Sequence, residues 1–197
     1  MSIVETSINN SIATIKINRP EQLNALSVQV LADLKKEFEA VEQDNEVGVI
    51  ILTGEGDKAF IAGADIKEMS TFSSEEAKKY AINGQSLTTY IENFPKPVIA
   101  AINGFALGGG CEFAMACHIR YASETARLGQ PEVGLGLIAG FGGTQRLPRL
   151  VGKGYALEIL LSGGMLSASD AKEMGLVNAI FPKESLMEAC LKLASKI

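Results

Sequence analysis

Histidine is nearly absent: His118 is the only one in 197 residues. A site built on several imidazoles is therefore excluded, and any Ser–His or Cys–His chemistry would rest on that one ring. The three cysteines, Cys111, Cys117 and Cys190, are odd in number and lack metal-ligand spacing, so reduced thiols, a cytoplasmic location and no bound metal are expected. No uninterrupted apolar run approaches the roughly 18 residues that would span a bilayer, and no membrane association is expected. Met1 to Asn10 has neither the basic start and apolar stretch of a secretion signal nor the Arg-rich character of a transit peptide. Lysine and arginine (18) are outnumbered by aspartate and glutamate (23), for a net charge of −5, which argues against a nucleic-acid footprint. No G-x-x-x-x-G-K-[ST] occurs, and no G-x-G-x-x-G opens the first βα unit, so a P-loop is excluded and a dinucleotide fold disfavoured.

What is present is an ordinary globular composition, 47% hydrophobic and 21% charged, in a chain long enough for one domain over residues 1–197. Ala13–Ile17 alternates as a half-buried strand should, and Asn18-Arg19-Pro20 breaks it. Val28, Leu31, Leu34, Phe38 and Val41 recur at helical spacing behind a Ser27 cap. Val47–Leu52 and Val98–Ile102 read as strands buried on both faces. Ser73-Ser74-Glu75-Glu76 has the form of a capping box, opening a helix that runs toward Asn93. Further helices are expected from Gly108-Gly109-Gly110 to about Cys117, over Tyr155–Leu161, over Ser169–Met174 with Gly175 as its stop, and from Leu186 to Ile197. Strands alternate with helices, so the class is α/β.

Three glycine-rich segments stand out: Ile61–Lys67, Ala106–Glu112 and Ala139–Thr144. The second leads from a buried strand into a helix, leaving free N–H groups and the positive dipole end at Gly109. Such an end stabilises an oxyanion or a phosphate, although glycines taken singly more often only make turns. Glu112 lies in the first turn of that helix among Phe113, Ala114, Met115, Ala116 and Cys117, which predicts a buried carboxylate. It either complements the dipole or reacts. Glu132, in Gly129–Gly136, is again in apolar, glycine-rich surroundings, where a solvated loop carboxylate is an equal reading. Brought together in an apolar site, the two could not both ionise easily, leaving an acid beside a base. That division suits addition of water to a polarised double bond.

At these residues the sequence resembles the crotonase superfamily, specifically enoyl-CoA hydratase. The resemblance is carried, in order along nearly the whole chain, by Asn18-Arg19-Pro20 with Leu23–Leu26, Ala62–Glu68, Lys96–Ala101, Gly104–Glu112, Gly129–Glu132 and Gly142–Leu147. It implies a crotonase-like (ClpP/crotonase) spiral of ββα units and reversible syn addition of water to a trans-2-enoyl-CoA, giving 3-hydroxyacyl-CoA. It implies that Glu112 activates the water, that Glu132 delivers a proton to the α-carbon, and that the main-chain N–H groups of Ala64 and Gly109 form an oxyanion hole. Coenzyme A enters only as part of the substrate, so no separate cofactor is expected. By the same resemblance it would lie along Glu21, Gln22, Leu23 and Ala25 and the Ala62, Ala64, Asp65 and Ile66 backbone, with Lys58 near its phosphates.

The sequence departs from the family pattern at Glu21-Gln22, where a basic residue is common, at Ala139, where proline is common, and at His118, where aspartate is usual. Ile197 closes the chain before the helical segment that, in the family, packs over the site and supports trimers; a homotrimer or dimer of trimers is expected where that segment is present. Another crotonase activity, such as enoyl-CoA isomerisation, and a non-catalytic CoA-binding or oligomerisation module are the alternatives.

Overall fold

The long amphipathic helix sets the first layer. In the computed structural model, which describes residues 2–197, α1 spans Val28–Gln43, and the Ser27 side chain accepts from the Val30 N–H at its start. Its buried stripe is Val30, Leu31, Leu34, Phe38 and Val41. Each of these contributes roughly 1.5–3 kcal/mol relative to an exposed position. Met1, the first residue of the segment read above for a leader, lies outside the described residues.

Strands β1 (Val4–Asn9) and β2 (Ile12–Ile17) form an antiparallel hairpin, and β2 continues in parallel to β3 (Val49–Gly54). From β3 onward the chain repeats one motif, in which a strand of a large sheet is followed by a short strand of a second sheet and then a helix. The first turn is β3, β4 (Ala59–Ile61), a one-turn helix α2 (Ile66–Met69) and α3 (Ser74–Glu92). The second is β5 (Val98–Ile102), β6 (Phe105–Leu107) and α4 (Gly109–Ala116). The third is β7 (Ile119–Ser123), β8 (Arg127–Gly129), a 3-10 turn over Pro131–Leu135, then α5 (Gly143–Val151) and α6 (Lys153–Ser162). The chain then adds β9 (Met165–Ser167), α7 (Ala168–Glu173), β10 (Ala179–Phe181) and α8 (Leu186–Ala194).

The six-stranded sheet has the order β1-β2-β3-β5-β7-β10, all parallel after the opening hairpin. The four-stranded sheet is β4-β6-β8-β9, its first three strands parallel. Successive turns of the chain thus stack strand on strand in two walls, which is the expected ββα spiral. β3 and β5 are buried at every position, as parallel strands covered on both faces require. The Ser73–Glu76 capping box is present, with both reciprocal bonds.

His118 has a structural use in this frame. Its main-chain N–H donates to Val98 O and its Nδ1 accepts the Val98 N–H, each at 2.9 Å. Desolvation lowers the imidazole pKa, consistent with a ring that must keep this lone pair free. The ring clasps the first residue of β5, and His118 does not line the pocket described next. Among the described residues no helix is long and apolar enough to cross a membrane.

Candidate active site

Helix α4 is buried at every residue, Glu112 included at 1% exposure. A carboxylate placed there must be hydrogen-bonded or neutral. Glu112 Oε1 accepts the main-chain N–H groups of Phe141 at 2.7 Å and Gly143 at 2.6 Å. Gly143 is the first residue of α5, so the positive end of a second helix faces the same oxygen. Oε2 has no protein donor among the described residues and is left for a ligand. Burial pushes the Glu112 pKa up to about 7, against the downward pull of the Gly143 N–H, and the negative charge of Glu132 adds to the rise.

Glu132 arrives on the 3-10 turn that Pro131 opens, half-buried, with its pKa also raised by burial. The buried Gln130 carboxamide, oriented as its surroundings require, donates to Oε1 at 3.0 Å and to Oε2 at 3.1 Å. The carboxylate also lies against the turn before α4. A Cβ at Gly108 would stand 2.9 Å from Glu132 Oε1, and Gly108 has φ +51° with ψ −122°. Only glycine takes that backbone conformation without strain and lets the carboxylate approach.

Two main-chain N–H groups complete the site. Leu26 and Ala64 form an isolated parallel bridge, in which Leu26 N–H donates to Gly63 O at 2.8 Å and Asp65 N–H donates to Leu26 O at 2.9 Å. Both bonds belong to Leu26, so the Ala64 N–H faces away from it. Gly109 is the first residue of α4, where the N–H has no intrahelical acceptor. Among the described residues neither the Ala64 nor the Gly109 N–H finds a partner. The bridge is braced from outside by Arg19, which donates to Ala25 O at 2.8 Å and pairs with Asp65 at 3.2 Å.

These groups share one pocket of about 370 Å³ whose walls are otherwise apolar, with Met69, Tyr80, Leu137, Ile138 and Phe141 among them. Of the residues read from the sequence, the structure brings Ala62, Ala64, Ile66, Gly109, Glu112 and Glu132 to this pocket. Glu21, Leu23 and Lys58 line a separate recess of about 200 Å³. Two further carboxylates there are already paired, Glu55 with Lys16 and Asp57 with Lys183 at 3.2 Å, whereas Lys58 makes no ion pair among the described residues. Gln22, Ala25 and Asp65 line neither space: Gln22 is exposed, Ala25 O is held by Arg19, and Asp65 caps α2. Among the described residues no cluster of three metal-ligating side chains occurs.

The sequence reading missed Phe141, Gly143, Gln130 and Tyr80. A signal existed for Gly143, because Ala139–Thr144 is as glycine-rich as the segment before α4. The helix it opens went unread because Pro148 lies inside it. The Tyr80 hydroxyl donates to Leu26 O at 2.7 Å, and its ring lies 5.4 Å from that of Phe141.

The sequence pattern of the enoyl-CoA hydratase/isomerase family matches residues 7–197. The chain is 49% identical over 186 residues to a crotonyl-CoA hydratase of Syntrophomonas wolfei, an alignment covering 94% of this chain and 72% of that protein. It is equally similar, 49% over 186 residues, to a short-chain-enoyl-CoA hydratase of Clostridium acetobutylicum, covering 94% and 71%. Among solved structures, an enoyl-CoA hydratase from Bacillus anthracis superposes with a TM-score of 0.97 at 41% identity, over 99% of this chain and 76% of that one. With fold, site geometry and relatives in agreement, the chain belongs to the enoyl-CoA hydratase/isomerase family.

Proposed function

We propose that this chain is an enoyl-CoA hydratase acting on short-chain trans-2-enoyl thioesters, with Glu112 and Glu132 as its acid–base pair. The observation that carries the reading is the meeting of two carboxylates with raised pKa values and two unpartnered main-chain N–H groups in one apolar pocket. The thioester carbonyl oxygen, set between the Ala64 and Gly109 N–H groups, would accept both bonds. Charge moving onto that oxygen as C3 is attacked is then stabilised by donors already in place; one such donor is worth about 2.7–4 kcal/mol.

Water is split across the double bond. Glu112, its Oε1 anchored by two N–H groups, takes a proton from water through the free Oε2 as the hydroxyl oxygen bonds to C3. Glu132 gives its proton to C2, and the enolate collapses back to the thioester. Burial raises both carboxyls, and the negative charge of Glu132 raises Glu112 further. The two N–H donors favour negative charge on Glu112, while an acyl chain pressed against Glu132 favours its protonated form. After turnover the proton returns from Glu112 to Glu132 through the pocket.

The test is loss of the enoyl-thioester absorbance of crotonyl-CoA. We expect turnover by the wild type, with Glu112→Gln and Glu132→Gln each reduced about 10²–10⁴-fold in kcat. No hydration by the folded wild type, or full activity in either variant, would defeat the proposal. The carboxamide of Glu112→Gln retains an acceptor for Phe141 and Gly143, so the comparison reads chemistry rather than folding.

A further inference from the structure

The peptides that hold Glu112 are themselves held from behind. Phe141 and Gly143 supply the two N–H groups on Glu112 Oε1, and the stretch between them turns through Gly142, at φ +103°. On the pocket side the turn is held by Glu112 itself and by the packing of the Phe141 ring against Tyr80 and Phe113. From the outer side, the Arg146 guanidinium donates through Nη1 to Phe141 O at 2.9 Å, and the Thr88 hydroxyl donates to the same oxygen at 2.8 Å. The Arg146 main-chain N–H donates to Gly142 O at 3.0 Å, the carbonyl of the very peptide whose N–H binds Glu112. A Cβ at Gly142 would collide with Arg146 Nη1, so this crossing exists only with glycine there.

The guanidinium is aimed in turn by Glu92 at the end of α3, whose Oε2 accepts from Arg146 Nε at 3.0 Å and Nη2 at 2.7 Å. Arginine's planar fork suits this double task, with two donors to the carboxylate and the remaining arm to the carbonyl, in a way a lysine ammonium cannot reproduce. The Arg146 side chain is 9% exposed and that of Glu92 49%, so the bridge runs from solvent to the back of the site.

We propose that Arg146, oriented by Glu92, is a positioning residue for Glu112: it fixes the Phe141–Gly143 turn and with it the aim of the catalytic carboxylate. The proposal rests on the reading of Glu112 as the water-activating base. A turn released on its outer side lets Oε1 wander, and a displacement of about 1 Å in a reacting group can cost 10²-fold in rate. Arg146 also contributes a positive charge that favours the Glu112 carboxylate over its acid form. The other ionisable groups coupled to Glu112 are Glu132 across the pocket, Tyr80 on α3 and Cys111 beside it, the last two with raised pKa values and therefore neutral.

The experiment measures kcat, KM and the pH profile of crotonyl-CoA hydration for wild type, Arg146→Gln, Arg146→Lys, Glu92→Gln and Glu112→Gln. Arg146→Gln is expected to lose about 10–100-fold in kcat with KM nearly unchanged. Its ascending limb, which reports ionisation of the base, should move to higher pH. Arg146→Lys keeps the charge and should restore the limb but only part of kcat. Glu92→Gln should lower kcat without moving the limb upward, since the cation remains. A folded Arg146→Gln enzyme within about twofold of wild-type kcat, or one slowed with its limb unmoved, overturns the proposal. If Arg146→Gln does not fold, Glu92→Gln decides from the half-exposed end, and unchanged kcat there overturns it. An active Glu112→Gln sinks the hydratase mechanism itself. An inactive Glu112→Gln beside unaffected Arg146 and Glu92 variants sinks only the positioning role.

Discussion

The two carboxylates that line the pocket are held by walls of opposite character. Glu112 stands on a helix with no exposed residue, with two N–H groups on one oxygen and a buried arginine behind them. Glu132 stands on a 3-10 turn with no buried residue, which ends at Leu135 (59% exposed) and leads to Leu137 and Ile138 at 47% and 81% exposure. One wall is overdetermined by packing and hydrogen bonds. The other is held chiefly by Gln130 and by the Leu137 N–H, which donates to Glu132 O at 3.0 Å. The contrast suits the two roles proposed above: a base that activates water needs fixed aim, while an acid delivering to carbon must close on whichever acyl chain is bound.

If the Glu112 wall draws its rigidity from packing, removing its central ring should do the greatest damage. Phe141 is buried, with ring centroids 5.4 Å from Tyr80 and 6.4 Å from Phe113. Phe141→Ala should cost about 3–5 kcal/mol in unfolding free energy, measured by urea titration. A loss below about 1 kcal/mol would mean that the wall collapses onto the cavity and that its rigidity has another source.

The second prediction turns on charge. The Glu112 carboxyl is raised from 4.5 to about 7 by folding, desolvation being the largest cause. The folded state therefore binds the proton more tightly than the unfolded chain. This group costs nothing below pH 4.5, and its penalty grows as pH rises through the window from 4.5 to about 7, reaching about 3 kcal/mol above it. Glu112→Gln, neutral at every pH, should be more stable than wild type at pH 8, with the difference vanishing near pH 4.5. Equal stability at both pH values would show that the two N–H bonds fully offset burial.

How much of this could be read from the chain follows the same contrast. Features with a local physical signal were legible: the α1 stripe, the Ser73 capping box, the apolar runs of β3 and β5, and Glu112 in an apolar first turn. Strands of three residues, such as β4, β6 and β8, are too short to show any period, so the second sheet stayed invisible except through family resemblance. The β1 strand was missed because Glu5-Thr6-Ser7 interrupts any apolar alternation and its outer half is exposed. Pairings between distant residues left no trace at all. Nothing in Phe141 or Gly143 announces a carboxylate partner 29 or 31 residues earlier, and nothing in Arg146 announces Glu92. Glu132 was ambiguous between a loop and a site because its wall carries few constraints of either kind.

The weaker wall yields the smallest expected effect on folding, and for that reason the sharpest discrimination. Ile138 lines the pocket yet is 81% exposed, so its side chain gives up little solvent contact in the free protein. Ile138→Ser should leave unfolding free energy within about 0.5 kcal/mol of wild type. The same substitution removes apolar surface from the rim where an acyl chain or pantetheine arm would pass. KM for crotonyl-CoA should therefore rise while kcat holds, because a contact made equally to substrate and transition state is lost. A fall in kcat at constant KM would show that this segment also helps aim Glu132, and the division between a fixed wall and an adaptable one would fail.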